Sequence, residues 1–317
     1  MIVLLLACTS PDTDSSSDSV VDDGRLNLVE DFPDAPEGGL ALRSPVMEIP
    51  PYSEVLLCYF GTYEGPTVGV DFMQPLQSDY SHHNQLKAVW DGIYDDGELI
   101  DCATSAEMSE YSPLFESVGI EPGPDTAEGN WLNLPDGIAM KLEGGQRWVM
   151  DMHYINPTDQ TLVVQNGVNI GVLPVEEVED WAGSIQFDAG LINIAAGADH
   201  QETFDCAFEQ PGHVLSVLGH MHSRGTHYSV DYGAADAPAE RIYDVVWEGD
   251  YHPYYPELTT YAPGEFPVAE GETFTTTCDW TNFEDHDLEF PEEMCTTVVV
   301  VYPLERPRTC IEGVYRD

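Results

Sequence analysis

Short apolar or alternating runs recur along the whole chain, and helical periodicity is scarce. EVLLCYF (54–60), TVGVDFM (67–73), RWVMDMHYI (147–155), TLVVQNGVNIGVL (161–173), RIYDVVW (241–247), ETFTTTCDW (272–280) and TTVVVVYPL (296–304) are separated by stretches rich in Gly, Pro, Asn and Asp. Runs of this length, rich in β-branched and aromatic residues, read as strands. Many short strands with turn signals between them build sandwiches or barrels, so the expected fold class is all-β. One segment, SAEMSEYSPLFESVG (105–119), leaves room for a helical turn or two before Pro113 interrupts it. No repeat of short period is visible.

A length of 317 residues suits two domains, each able to bury its own core. The acidic segment EEVEDWAG (176–183) separates two strand-rich halves, which gives domains at 31–177 and 178–317 after a leading segment of 1–30. The formal net charge is -48, from 58 acidic residues against 10 basic ones. Such a surface repels nucleic acid and anionic lipid, which argues against both as partners. It draws cations, and it suits solubility in a salty or extracellular setting. Hydrophobic residues make up 42% of the chain, which is too many for a disordered acidic polymer.

The N-terminus reads as an address. MIVLLLAC is an apolar run ending in Ala7 and Cys8, followed by the polar tract TSPDTDSSSDSVVDDG. This resembles the tail of a bacterial lipoprotein signal, in which the cysteine becomes the lipidated first residue of the mature protein. The basic n-region and the longer apolar core of a usual signal are missing, which leaves open a start codon upstream. Residues 9 to about 30 then form an acidic tether. The protein is expected to be exported, either secreted or held in a bacterial cell envelope by a lipid on Cys8, its only link to a membrane. Cys58, Cys102, Cys206, Cys278, Cys295 and Cys310 remain, an even number suited to three disulfides in an oxidising compartment. None forms a CxxC pair, which argues against a zinc knuckle or a thioredoxin-type site.

Histidines carry the chemistry. In VLSVLGHMHSRGTHYSV (214–230) the flanking residues read as strand, so His220 and His222 project from one side while Met221 faces away. Two imidazoles so placed can share one ion, although exposed strands carry such pairs by chance. Further along, Met294 opens a strongly apolar strand; alone it reads as core filler, yet a thioether is also a soft ligand suited to Cu(I). In YSHHNQLKAVW (80–90), His82 and His83 are adjacent, and adjacent strand residues can serve one metal only at a strand end or bulge. In VMDMHYINP (149–157), His153 shares a face with Val149 and Asp151, opposite a core-facing Met150, Met152 and Tyr154. Asp151 is placed to orient the His153 ring, or to be solvated. His200, His213, His227, His252 and His286 read as structural or loop residues.

Together these motifs resemble the catalytic core of the copper type II, ascorbate-dependent monooxygenases, the family of peptidylglycine α-hydroxylating monooxygenase and dopamine β-monooxygenase. The resemblance spans about Pro50 to Cys310. It implies two antiparallel jelly-roll-like β-sandwich domains packed side by side, with one copper facing the other across a cleft. His82, His83 and His153 match the ligands of the electron-storing copper. His220, His222 and Met294 match those of the copper that binds dioxygen and takes hydrogen from substrate, and these three carry the catalytic role. The resemblance also implies the pairs Cys58–Cys102, Cys206–Cys310 and Cys278–Cys295.

Departures from the family pattern concern the substrate. Leu218 stands where peptide-acting members carry an arginine for the substrate carboxylate, and Thr296 and Val298 replace an asparagine and a tyrosine. A cysteine common after the HH motif is absent, with Trp90 nearby. The implied activity is hydroxylation of an activated C–H bond of a small organic substrate, using O2, two coppers per chain, and ascorbate or a similar reductant. A non-catalytic copper-buffering lipoprotein is the alternative, and a scaffold sandwich with incidental histidines is a third reading.

Overall fold

In the computed structural model, residues 25–89, 94–102, 112–118, 132–233, 240–247, 258–290 and 292–316 are described. Cys8 and the acidic tether up to residue 24 lie outside them, as do Trp90 and His252. Among the described residues the chain is built from strands, with one 3-10 turn at Val175–Glu177 between the halves.

A mixed sheet of twelve strands runs through both halves. Its path takes Leu40–Arg43, Asn166–Leu173, Val68–Gln77, Ile138–Leu142, Asp180–Asp188, Cys295–Tyr302, Gly212–Met221 and Thr259–Thr260 in that spatial order. The halves join where Ile138–Leu142 pairs in parallel with Asp180–Asp188, Ile138 opposite Asp180 and Met140 opposite Ala182. A five-stranded sheet covers the first part, with Arg147–Asn156 at its centre between Ser53–Thr62 and Ser81–Val89. A four-stranded sheet of Asp199–Ala207, Thr273–Thr281, Gly225–Gly233 and Glu240–Val246 covers the second. The molecule is thus a pair of β-sandwiches that share one sheet.

Each sandwich has its own apolar filling. The first contains Met150, Met152, Tyr154, Val70, Val168 and Ile170 between its two sheets. The second contains Phe187, Val217, Met221, Tyr228, Phe274, Trp280 and Val299. The run of four valines explains itself: Cys295–Tyr302 is buried at every residue, as a strand covered on both faces must be. Leu215, Val300 and Tyr302 from the second half pack into the first filling, so the reverse face of these strands looks toward the first half.

Three disulfides staple the sheets: Cys58–Cys102, Cys206–Cys310 and Cys278–Cys295, with Cα–Cα separations of 5.9, 6.3 and 6.2 Å. These are the pairs that the resemblance implies, and each closes within its own half. They show a chain suited to an oxidising compartment. No helix among the described residues is long and apolar enough to cross a membrane.

The segment before Pro113 that leaves room for a helical turn, residues 103–111, lies outside the described residues. Ser112–Val118 is a strand that pairs with Ser81–Val89 at the rim of the five-stranded sheet. Pro113 is tolerated there because an edge strand leaves one row of backbone donors unpaired.

Candidate metal centres

The Gly212–Met221 strand presents two faces of different character. Val217, Gly219 and Met221 turn into the second filling. A Cβ on Gly219 would sit 2.3 Å from the Tyr228 ring, so only glycine allows that approach. Ser216, Leu218 and His220 take the other face. Three rows cross it from the Asp180–Asp188 strand through Cys295–Tyr302: Ser184, Val300 and Ser216; Gln186, Val298 and Leu218; Asp188, Thr296 and His220. The ladder closes at Met221 opposite Cys295, so His222 follows its last residue on one strand and Met294 precedes its first on the other. His220, His222 and Met294 thus all belong to the chain at one end of this strand pair. The two imidazoles are buried, with ring centroids 5.0 Å apart and planes at 76°.

Several contacts fix this end of the ladder. The His222 Nδ1 lies 3.1 Å from the Glu292 carbonyl oxygen. A carbonyl can only accept, so Nδ1 carries the proton and Nε2 keeps the lone pair a metal would need. Glu293 is fully buried and accepts from the backbone N–H of His222 at 3.1 Å, that of Arg224 at 2.6 Å, and Trp280 Nε1 at 3.0 Å. Burial pushes its carboxyl up to about 7, against the opposing pull of those donors and of the Arg224 charge. Trp247 Nε1 donates to the His222 carbonyl at 3.1 Å, and the Cys278–Cys295 bridge anchors the residue after Met294. The segment bearing the methionine is thereby bolted to the turn bearing the histidines.

Beside His220, Thr296 donates through its hydroxyl to Asp188, which also accepts from Gln186 Nε2 at 3.0 and 3.1 Å. Burial raises the Asp188 carboxyl above its ordinary range, while Thr296, Gln186 and the charge of Lys87 lower it. Lys87 belongs to the strand that carries His82 and His83.

In the first half, Arg147–Asn156 is buried on both faces. Met150, Met152 and Tyr154 enter the main filling, as their spacing predicts. Val149 packs on the other side with Cys58, Phe60, Val89 and Cys102. His153 lies on this second side, 5% exposed, with Nε2 2.8 Å from Glu54 Oε1. A carboxylate on a ring nitrogen fixes the imidazole's orientation. Asp151, read as either orienting His153 or solvated, is buried and its Oδ2 receives Lys87 Nζ at 2.8 Å, while Glu54 from the neighbouring strand stands at His153. Asp151 also lies close to the sulfurs of Cys58 and Cys102, but these form a disulfide and offer no thiolate.

The backbone meets the condition that adjacent histidines impose. His153 opposes His83, whereas Tyr154 opposes Ser81, so the ladder slips by one residue and His82 is the extra one. A bulge of this kind sets two neighbouring residues against a single partner. The side chains of His82 and His83 lie outside the described parts of the structure.

Two buried imidazoles 5.0 Å apart suit a metal, and the fixed His222 tautomer fits that use; a thioether from Met294 would make the set one for a soft, redox-active ion. Of the remaining histidines, His200, His213 and His227 stand within strands: His227 between Asp244 and Asp279 at 2.8 and 3.3 Å, and His213 stacked on Tyr302. His286 is exposed and bonded to Glu292 at 3.0 Å. Glu54 and Glu293 were not singled out by sequence reasoning. Glu293 had one usable signal, its place beside Met294.

No protein-family model matches the chain, and no curated protein matches it. Among solved structures, PNGase F, a glycosylasparaginase from Flavobacterium meningosepticum, is similar at 9% identity over 86% of this chain and 100% of that chain, with a TM-score of 0.36. A structure of recombinant N-glycanase F (PNGase F) gives 8% identity over 88% and 99%, with a TM-score of 0.38. At these values the likeness says nothing about chemistry.

Proposed function

We propose that the chain is a copper-dependent monooxygenase of the type II, ascorbate-dependent family, which hydroxylates an activated C–H bond of a small organic substrate. The observation that carries this reading is the pair of buried imidazoles, His220 and His222, 5.0 Å apart between ring centroids at the end of the strand pair that Met294 precedes. Bound copper would supply one-electron redox chemistry, with dioxygen activation at that site and electron storage at His82, His83 and His153. The overall reaction consumes O2 and two reducing equivalents from ascorbate or a similar donor, and releases water.

The chain's own residues prepare this chemistry. The Glu292 carbonyl holds the proton on His222 Nδ1, which directs Nε2 to the metal. Glu293 fixes the backbone of His222 and Arg224, so the thioether and the imidazoles keep one geometry. Glu54 would hold the His153 ring in the same manner. Leu218 and Val298, side by side in the row next to His220, offer an apolar floor for the substrate. An anchored lipoprotein on Cys8 in the bacterial envelope remains part of the proposal.

Copper buffering without turnover is the second reading, favoured by that same row, which lacks the arginine and tyrosine of peptide-acting relatives. Copper analysis combined with ascorbate-dependent oxygen uptake separates the two. Two coppers per chain with uptake on a substrate support the enzyme. Two coppers without uptake across a broad substrate panel favour buffering, and failure to bind copper removes both readings.

A further inference from the structure

Reduction of dioxygen consumes protons as well as electrons. Hydroxylation takes RH, O2, two electrons and two protons to ROH and H2O, so protons must reach a site whose imidazoles are only 2% and 8% exposed. Asp188 is an ionisable group close to that site and lies outside the ligand set. Asp188 opposes Thr296 on one strand pair and Thr296 opposes His220 on the next, so the three side chains share one face in a single row. Thr296 stands between the other two, whose backbones are about 10 Å apart at ordinary strand spacing. Thr296 is fully buried, whereas Asp188 is half-buried and can regain a proton from solvent.

We infer that Asp188, acting through the Thr296 hydroxyl, is the proton source for dioxygen reduced at the His220 site, an inference that rests on the monooxygenase reading above. The Thr296 hydroxyl bonds to Asp188 Oδ1, and a hydroxyl both donates and accepts. While Asp188 is ionised, the hydroxyl donates to it. Once Asp188 is protonated, the carboxyl donates instead and the hydroxyl hydrogen is free to turn to the His220 side. Gln186 Nε2, at 3.1 and 3.0 Å from the two carboxyl oxygens, keeps the acid in place. Burial favours its protonated form, against the pull of Thr296, Gln186 and the Lys87 charge. The other titratable groups near Asp188 among the described residues are Tyr228, whose phenol burial holds neutral, and Glu312, which follows the opposing Ile311 and lies beside Gly190. In the step itself the Asp188 O–H bond breaks and its proton passes to Thr296 Oγ1. The threonine's own proton passes to the reduced oxygen, and solvent reprotonates the carboxylate. The electrons come from ascorbate or a similar donor.

Rapid mixing of the Cu(I)-loaded full chain with dioxygen, followed by the Cu(II) EPR signal, reads the proton demand with O2 itself as the probe. Two coppers then give up one electron each, and O2 takes two protons to become hydrogen peroxide. Asp188→Asn and Thr296→Val should each slow reoxidation roughly a hundredfold with both coppers still bound, and Thr296→Ser should restore most of the rate. The wild-type rate should fall as pH rises through the Asp188 titration, because only the protonated acid donates. Asp188→Asn should lack that fall. In the copper-free chain, carboxyl carbon NMR should show a resonance that titrates above the ordinary carboxylate range and is missing in Asp188→Asn. The inference is overturned if Asp188→Asn with both coppers bound reoxidises at the wild-type rate, or if its pH dependence matches the wild type. Thr296→Ser as slow as Thr296→Val, or an Asp188 resonance within the ordinary range, would overturn it too. The NMR result needs neither copper nor turnover, so its failure is distinct from failure of the monooxygenase reading. A wild-type chain that binds no copper removes that reading and the inference with it.

Discussion

The two candidate copper sites are assembled by opposite use of the same β-ladder. At His220 the ladder is regular: residues two apart share a face, and in the proposed site Met294, just before the partner strand, would complete the set. At His82 and His83 the ladder breaks, because neighbours on a regular strand diverge and a bulge opposite His153 brings one extra residue in. A regular site tolerates nothing that shifts register. An irregular site depends on one residue being surplus.

The comparison can be broken from either side. Met294→Ala should abolish hydroxylation while the three-histidine copper stays bound, measured by product formation and copper content. Deleting His82 restores an even register and should cut copper from two per chain to one, leaving the His220 site loaded. The reverse result, loss at His220 with retention at His153, would mean that the bulge is incidental.

Smaller effects test the supports. Glu293→Ala leaves three donors unmet, the His222 and Arg224 N–H groups and Trp280 Nε1. At about 1–3 kcal/mol for each buried unsatisfied group, a loss of roughly 3 kcal/mol or more is expected in urea unfolding of the copper-free protein. Gly219→Ala forces a methyl group against the Tyr228 ring and should cost about 1–3 kcal/mol in the same assay. Glu54→Gln should weaken copper at the His153 site by roughly ten- to a hundredfold, with the His220 site unchanged in competition titrations.

Much of this was legible in residue order. Alternation and valine runs specify strands directly, and the two-residue spacing of His220 and His222 gives their common face. The condition on His82 and His83 was legible too, but the bulge itself was not, since nothing in YSHHNQL marks where a partner strand will slip. Glu54 and Glu293 were hidden for other reasons. Among 58 acidic residues, burial is what distinguishes Glu293 from a solvated carboxylate, and strand pairing is what places the exposed Glu54 beside His153; both are properties of the fold. Asp151 stayed open between two roles because it shares a face with His153, and only the fold shows Lys87 on the adjacent strand pairing with its carboxylate. The shared sheet depends on a three-residue parallel contact at Ile138–Met140, too short to leave a pattern.

The central claim is that His220, His222 and Met294 hold one metal. X-ray absorption of the Cu(I)-loaded protein tests it most directly. The account predicts one sulfur neighbour for every two coppers, lost in Met294→Ala while nitrogen neighbours remain. A wild-type spectrum with no sulfur neighbour, or one that survives the substitution, would contradict it.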